Sequence, residues 1–257
     1  MARLAVIGGS GFSALPGLEV ERREPCPTPY GETSAPLTWG RLGDCPLLFL
    51  PRHGDAHGIP PHRINYRANI RALADAGASH IIGLGAVGGI SPDCQPGVLC
   101  VPDQIIDYTW ARLGSFYQGE PGDPALDHID FTEPYCAELR AELLASAEDL
   151  GQSVRAQGCY GSTQGPRLET AAEIRRMARD GCDLVGMTGM PEAALARELG
   201  LCYAALCFVV NIAPGCSEGP VTMDEINANL GLCVTAVARL LQTLTERWVL
   251  HQAPGNA

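Results

Sequence analysis

The chain has 257 residues, 46% hydrophobic and 18% charged, which excludes a disordered protein and allows one large globular domain or two small ones. A formal net charge of −11 argues against a nucleic-acid-binding or anionic-membrane surface, although a small anion needs only a local pocket. The 11 cysteines are scattered without a C-x-x-C pair, so we predict buried free thiols in a reducing cytoplasm, not a disulfide framework or a zinc site.

Short apolar runs alternate with segments of helical periodicity, which predicts a mixed β-sheet flanked by helices in a single α/β domain over residues 1–257. No run reaches the 18 apolar residues of a membrane span, and the N-terminal MARLAVIGGSG turns to glycine too early for a signal peptide, so we expect a cytoplasmic protein. The predicted elements are, in chain order, strands 3–7 and 46–50, helix 65–77, strand 80–87, an irregular functional loop 108–131, helices 132–151 and 169–181, strand 183–187, helix 190–200, strand 202–211, and a long helix opened by a capping box at 222–225.

Four of the predicted strands run into glycine-rich or polar turns: 8–11, 52–54, 85–89 and 188–189. Such turns supply backbone N–H groups, hydroxyls and a guanidinium, which together suit an oxyanion pocket. A dinucleotide-binding turn is the alternative for the first of them, but Ala14 stands where the third glycine is needed and no helical pattern follows. One glycine turn can be purely structural, whereas four favour anion binding.

Three histidines, His53, His57 and His62, raise the question of a metal site. Histidines spaced by four residues share a metal when they lie on one helix, and the glycines and prolines of 54–61 oppose a helix there. We therefore predict no metal. For His57 and His62 a structural role in a surface loop is the simpler interpretation.

The longest apolar run, in LCYAALCFVVNIAPG over 201–215, stops at Asn211. Ligands of open α/β sheets bind beyond the carboxyl ends of strands, so Asn211 stands where a side chain can contact a ligand. A turn role before Pro214-Gly215 is the alternative.

These segments resemble the purine nucleoside phosphorylase superfamily, and most of all its methylthioadenosine phosphorylase branch. The resemblance covers residues 8 to about 211 and is carried by GGSG (8–11), RHGxxHxxxP (52–61), NYRANI (65–70), GAVGG (85–89), HIDFTEPYC (128–136), GPRLET (165–170) and GMTGMPEAALARELG (186–200). It implies a purine/uridine phosphorylase-like fold, a homotrimer or a dimer of trimers, and cleavage of a purine nucleoside with inorganic phosphate as co-substrate and no cofactor.

The resemblance also implies roles for individual residues. Those expected to bind phosphate are Ser10, Arg52, His53, Gly85, Ala86 and Thr188. Met187 is expected beside the ribose, Leu168 and Ala213 beside the substrate, and His128 is expected to reach the 5′ end from an adjacent subunit. Gly85 departs from the branch, which commonly has Thr there, so a hydroxyl is lost and a backbone donor remains.

Asn211 and Glu169 predict the base. By resemblance, enzymes that cleave adenine nucleosides have Asp at the position of Asn211, whereas 6-oxopurine enzymes have Asn. An amide can donate to oxygen-6 or nitrogen-7, and a carboxylate at Glu169 can accept the nitrogen-1 proton that hypoxanthine has and adenine lacks. A helix N-terminal charge is the alternative role for Glu169.

Residues of the last helix predict the 5′ group of the substrate. By resemblance, enzymes that cleave ordinary nucleosides have a His there that binds the 5′-hydroxyl. That position falls near Met223, with Ile226 one turn later, and neither side chain can satisfy a hydroxyl, whereas a methylthio group suits both. Ordinary core packing is the alternative for these two residues.

The sequence thus predicts phosphorolysis of S-methyl-5′-thioinosine to hypoxanthine and 5-methylthioribose 1-phosphate, with Asn211 in the catalytic role. Methylthioadenosine phosphorylase, inosine/guanosine phosphorylase and a non-catalytic purine-binding module are the alternatives. A deaminase in the same cell would have to supply the thioinosine.

Overall fold

Strands and helices alternate along residues 3–119, 122–123 and 126–252, which are the residues that this computed structural model describes. The strands are β1 (Leu4–Gly8), β2 (Leu18–Glu24), β3 (Leu37–Leu42), β4 (Cys45–Pro51), β5 (His80–Gly89), β6 (Leu99–Cys100), β7 (Gln104–Asp107), β8 (Val154–Arg155), β9 (Cys159–Ser162), β10 (Leu184–Gly186) and β11 (Cys202–Ile212). The α-helices are α1 (Tyr66–Asp75), α2 (Ala137–Asp149), α3 (Ala171–Asp180), α4 (Gly189–Glu198) and α5 (Met223–Gln252).

The sheet divides at the carboxyl end of its central strand, β5. Its main path runs β2-β3-β4-β1-β5-β10-β9-β7, and a branch leaves β5 through β11 to β6 and β8. β5 pairs in parallel with β1 and β11, and its last two residues pair antiparallel with β10. On the edge of β5 opposite β11, β1 pairs only as far as Gly83 and β10 pairs only with Gly88 and Gly89, so a crevice opens between β1 and β10. Ligands of open α/β sheets bind in such crevices.

Apolar side chains cover both faces of the sheet, which makes the central strands hydrophobic without alternation. In β1, Leu4 and Val6 pack with α2 and α5, whereas Ala5 and Ile7 pack with α1 and α4. The last helix, α5, packs one apolar face against the sheet: Val237, Leu241 and Leu244 are buried, and Ile226, Leu230 and Val234 are partly buried against the same cluster.

The prediction of a turn at 85–89 is wrong, because β5 continues to Gly89. The glycines there allow neighbouring backbone to approach closely. A Cβ atom on Gly89 would lie 1.7 Å from the carbonyl oxygen of Cys94, and one on Gly88 would lie 3.2 Å from Val185 of β10. The glycine run thus makes room where the sheet divides.

The helix predicted over 132–151 begins later, at Ala137. Before it, the chain is tied to the start of β11 by a disulfide between Cys136 and Cys202. The prediction of free thiols alone is therefore wrong for this pair, because the fold brings two residues 66 positions apart to a Cα–Cα distance of 5.1 Å. The other nine cysteines are free.

The remaining helices begin close to where the sequence signals place them. Thr170 and Glu173 form a capping box at α3. In α4, Met190 keeps extended backbone angles, so the regular helix begins at Pro191, one residue after the start of the predicted segment 190–200. Among the described residues, no helix has the length and apolar character needed to cross a membrane.

Candidate active site

A cavity of about 180 Å³ lies where the sheet divides. Its walls come from the turns after β1 and β4, from β5, β10 and β11, and from α5. It brings together most of the site residues predicted from the sequence: Ser10, Arg52, His53, Gly85, Ala86, Leu168, Glu169, Met187, Thr188, Asn211 and Ile226. These residues span more than 200 positions of the chain, and the fold brings all of them to the wall of one cavity.

Three predicted residues lie outside the cavity wall. Ala213 is fully buried behind it, against Ile174 and Met177 of α3. Met223 is the first residue of α5 and is 64% exposed, whereas Ile226 and Leu230 of the same helix line the cavity. His128 is exposed in the segment between β7 and α2 and does not line its own chain's cavity.

Arg52 is held by a buried carboxylate that the sequence analysis missed. Its Nε and Nη2 atoms each donate to Glu192 at 2.7 Å, and Nη1 donates to the Leu84 carbonyl oxygen at 2.8 Å. Tyr203 donates its hydroxyl to the same carboxylate at 2.8 Å. Burial alone would lower the pKa of Arg52, but Glu192 more than offsets it and the pKa is raised. The guanidinium is thus charged and fixed, with one hydrogen left on each terminal nitrogen for a ligand.

Glu192 could have been found from the sequence. Glu192 is the one acidic residue in the otherwise apolar run MPEAALA. When such a run is buried, its carboxylate is buried too and therefore needs a charged or hydrogen-bonding partner.

Gly9 is required by the position of Arg52. A Cβ atom on Gly9 would lie 2.5 Å from the Leu84 carbonyl oxygen and 3.0 Å from Arg52 Nη1. The turn after β1 can therefore place Ser10 beside the guanidinium because residue 9 has no side chain.

Thr188 lies across the cavity before α4, 9% exposed, and its hydroxyl does not cap that helix.

His53 completes this end of the cavity. Its Nδ1 atom lies 2.8 Å from the carbonyl oxygen of Ile59, and the ring is 8% exposed. Burial and the adjacent Arg52 charge lower the pKa of His53 to about 4. The imidazole is therefore neutral at pH 7.

Glu169 also lines the cavity, and it lies just before the capping box of α3 and so outside the helix. One carboxylate oxygen, Oε1, accepts a hydrogen bond of 2.6 Å from the Thr163 hydroxyl. The other oxygen remains available to a ligand. The alternative of a helix-terminal charge does not account for a carboxylate that is 9% exposed and lines a cavity.

Asn211 lines the same cavity and lies at a register shift between β11 and β5, where Val209 pairs with Val87 but Asn211 pairs with Gly88. The bulge turns its side chain into the cavity wall. Its Nδ2 atom donates to the Ile212 carbonyl oxygen at 2.7 Å, which leaves the second amide hydrogen and Oδ1 for a ligand. β11 ends one residue later, at Ile212, so Asn211 is a strand residue and not a turn residue.

A second residue that the sequence analysis missed, Arg112, supports the Glu169 end. It donates to the carbonyl oxygens of Thr163 and Gln164 at 3.1 and 2.8 Å and to the Tyr66 hydroxyl at 3.2 Å. These bonds anchor the segment from which Thr163 contacts Glu169. No spacing signal identifies Arg112, because it lies in the irregular segment before α2 and its partners are 46 to 78 positions away.

Comparison with known proteins gives a consistent result. Residues 3–246 match the model of the phosphorylase superfamily. The chain is 49% identical over 244 residues to a probable S-methyl-5′-thioinosine phosphorylase of Xanthomonas campestris pv. campestris, a match that covers 95% of this chain and 97% of the relative. It is 48% identical over 229 residues to the 6-oxopurine nucleoside phosphorylase of Pyrococcus furiosus, covering 88% and 85% of the two chains. Methylthioadenosine phosphorylase from Schistosoma mansoni in complex with adenine has a similar structure, with a TM-score of 0.93 at 32% identity over 97% of this chain and 93% of that one.

Proposed function

The chain belongs to the phosphorylase superfamily, and we propose that it cleaves S-methyl-5′-thioinosine with inorganic phosphate, giving hypoxanthine and 5-methylthioribose 1-phosphate. The observation that carries this proposal is that Asn211 and Glu169 line the same cavity as Arg52. An amide donor and a free carboxylate oxygen match the oxygen-6 and the nitrogen-1 proton of a 6-oxopurine. Adenine offers the opposite pattern at both atoms.

The apolar wall at α5 supports a 5′-methylthio group. Ile226 and Leu230 line the cavity one turn apart, and neither side chain can hydrogen-bond a 5′-hydroxyl. In this proposal Leu230 has the role beside the 5′ group that was predicted for Met223. The name of the Xanthomonas relative agrees with this substrate, and that of the Pyrococcus relative agrees with a 6-oxopurine base.

In the proposed reaction the bond between carbon-1′ and nitrogen-9 breaks and a phosphate oxygen bonds to carbon-1′. Ser10, Arg52, His53, Ala86 and Thr188 hold the phosphate, with the backbone of Gly85, and Met187 lies beside the ribose. The purine leaves with the electron pair of the broken bond, and Asn211 and Glu169 stabilise the charge that develops on it until the base takes a proton from water. Positioning and electrostatics supply the rate acceleration, so the proposal includes neither a metal nor an organic cofactor.

The assembly and location are further parts of the proposal. A homotrimer, or a dimer of such trimers, would let the exposed His128 reach the 5′ end of a neighbouring cavity. The molecular mass in solution, three or six times the 27.2 kDa of one chain, tests this. A cytoplasmic location follows from a substrate that arises inside cells, and cell fractionation tests it.

The first experiment incubates the purified protein and phosphate with methylthioinosine, methylthioadenosine and inosine, and separates the released bases by chromatography. We expect hypoxanthine from methylthioinosine at a kcat/KM at least about tenfold above that for either competitor, because each competitor leaves a polar group unpaired. Equal or better release of adenine from methylthioadenosine would overturn the assignment of the base. Equal cleavage of inosine would overturn the assignment of the 5′ group, and no cleavage of any nucleoside would favour a purine-binding module.

A further inference from the structure

The hydrogen bond at His53 fixes which of its ring nitrogens carries a proton. Nδ1 lies 2.8 Å from the Ile59 carbonyl oxygen, and a carbonyl oxygen can only accept. Nδ1 is therefore the donor. In the neutral ring, Nε2 then has a lone pair and no hydrogen, and the ring lines the cavity at the end that holds Arg52.

The surroundings of the ring oppose a second proton. The Arg52 guanidinium is next to it, and the carboxylate of Glu192 is already engaged by two bonds to Arg52 and one to Tyr203. The remaining titratable neighbour is the ring of His57, whose centroid is 4.6 Å from that of His53. The lowered pKa of about 4 agrees with this geometry. At neutral pH the Arg52 guanidinium can only donate to a bound anion and the Ser10 and Thr188 hydroxyls can donate or accept, whereas His53 Nε2 can only accept.

We propose that His53 Nε2 accepts a hydrogen bond from a hydroxyl of the bound oxyanion, so that the site selects tetrahedral oxyanions that carry a proton and discriminates against sulfate. The inference rests on the phosphate site of the proposed function. At neutral pH, phosphate and arsenate each have at least one hydroxyl, whereas sulfate has none and would place a bare oxygen against the lone pair of the ring. Two acceptors facing each other in a buried site cost free energy that no other contact recovers.

This role is compatible with the chemistry of the transfer. The hydroxyl that His53 binds is not the attacking atom, because the oxyanion has other oxygens that face the sugar. The new bond to carbon-1′ forms through one of those, and the hydroxyl stays on the sugar phosphate. His53 neither gives nor takes a proton in this step. It selects and orients the co-substrate.

Isothermal titration calorimetry of the protein at pH 7 with inorganic phosphate, arsenate and sulfate, each without a nucleoside, tests the inference. We expect similar dissociation constants for phosphate and arsenate. The dissociation constant for sulfate should be at least about tenfold larger, because one hydrogen bond is replaced by a repulsive contact. Equal binding of sulfate and phosphate would overturn the inference, and this result needs no variant.

Two variants separate the acceptor from the donors around it. In His53→Gln the side-chain amide can turn to present either an oxygen or an NH₂ group, so we expect the ratio of sulfate to phosphate dissociation constants to fall towards one. In Ser10→Ala a donor is lost to both anions, so both bind more weakly and the ratio stays at its original value. An unchanged ratio in folded His53→Gln would contradict the proposed role.

The outcome is separable from the test of the proposed function. Binding is measured without a nucleoside, so a failure of sulfate discrimination leaves the assignment of the purine standing. If the protein does not cleave methylthioinosine, its selectivity between phosphate and sulfate can still be measured by calorimetry. Absence of phosphate binding would overturn both proposals.

Discussion

At the scale of single residues, the choice of base rests on Asn211, whose side chain is 5% exposed and anchored by its bond to Ile212. We expect Asn211→Asp to lower kcat/KM for methylthioinosine by about 100-fold, because a donor facing oxygen-6 is replaced by an acceptor beside the Glu169 carboxylate. The same change should raise kcat/KM for methylthioadenosine, whose amino group gains an acceptor. Steady-state kinetics with both nucleosides measure the two effects.

Asn211→Ala is the control for this prediction. It removes the amide without adding an acceptor, so we expect it to lose activity on methylthioinosine and gain none on methylthioadenosine. If Asn211→Asp behaves like the Ala variant, the residue positions the strand and does not select the base.

Gly85 tests the phosphate end of the cavity. A Cβ atom there would lie 3.8 Å from Cys207 Sγ and 4.0 Å from Val87, which is ordinary contact, so the site has room for a small side chain. We expect Gly85→Thr to lower the KM for phosphate severalfold, because it restores the hydroxyl that the related branch commonly has. A hydrogen bond from that hydroxyl to the charged phosphate would contribute about 1.5–3 kcal/mol. In Gly85→Ala the KM should remain within about twofold of the original value, since no donor is added. A Thr variant with the same phosphate KM as the Ala variant would show that a side chain at residue 85 does not reach the anion.

At the scale of elements, the Cys136–Cys202 disulfide fastens the start of α2 to the start of β11, the strand that presents Asn211. The bond closes a loop of 66 residues, and loop-closure entropy of the unfolded chain gives it a contribution of about 4 kcal/mol to the free energy of unfolding. We therefore expect the double variant Cys136→Ser/Cys202→Ser to unfold at a clearly lower urea concentration than the oxidised protein. Its m-value should be larger, because the unfolded chain without the cross-link is more expanded.

The exposed free thiol of Cys216 provides the matched control for this experiment. Cys216→Ser should leave the unfolding midpoint within experimental error, and a reducing agent should destabilise the parent protein but not the double variant. A loss of less than about 1 kcal/mol in the double variant would mean that the loop is already restricted in the unfolded chain.

The sequence predicts those elements whose burial or end signals are local. β1, β4, β5, β10 and β11 are continuous apolar runs, and α3 has a capping box and a C-terminal glycine. β2 was missed because its residues are almost all exposed and charged, and β6 and β8 because two residues carry no periodicity. The sequence predicts a turn for the glycine run of 85–89, because the reason for these glycines is not local. The strand that crowds Gly88, β10, lies about 100 positions later in the chain.

The same distinction applies to the candidate site. Arg52, His53 and Thr188 follow predicted strands directly, so the rule that ligands bind at strand carboxyl ends identifies them. The contacts that hold those side chains are long-range. Arg52 and its partner Glu192 are 140 positions apart, and Arg112 contacts residues from three separate segments. Such pairings depend on the topology of the sheet, which a single sequence does not specify.

At the scale of the whole molecule, the segment between β7 and α2 has the character of a surface that another protein chain covers. Trp110, Leu113 and Leu126 are 69%, 56% and 58% exposed, and His128 follows them on the same segment. Exposed large apolar residues grouped in this way mark interaction sites. Arg112 anchors the base of the segment beside the cavity, so a covering chain would lie close to the substrate.

This arrangement predicts that two inactive variants restore activity when mixed. Glu169→Ala damages the cavity of its own chain, whereas in the proposed trimer His128→Ala damages that of a neighbour. When equal amounts are unfolded and refolded together, about a quarter of the sites should pair an intact Glu169 with an intact His128, as random mixing in a cyclic assembly requires. Activity on methylthioinosine per site should recover to that fraction. Glu169→Ala mixed with Asn211→Ala is the control, because both residues line the same chain's cavity and no mixed site can be intact. Recovery in the control would mean that Glu169 and Asn211 of one site come from different chains. No recovery in the test mixture, when His128→Ala alone is inactive, would show that each cavity is served by one chain.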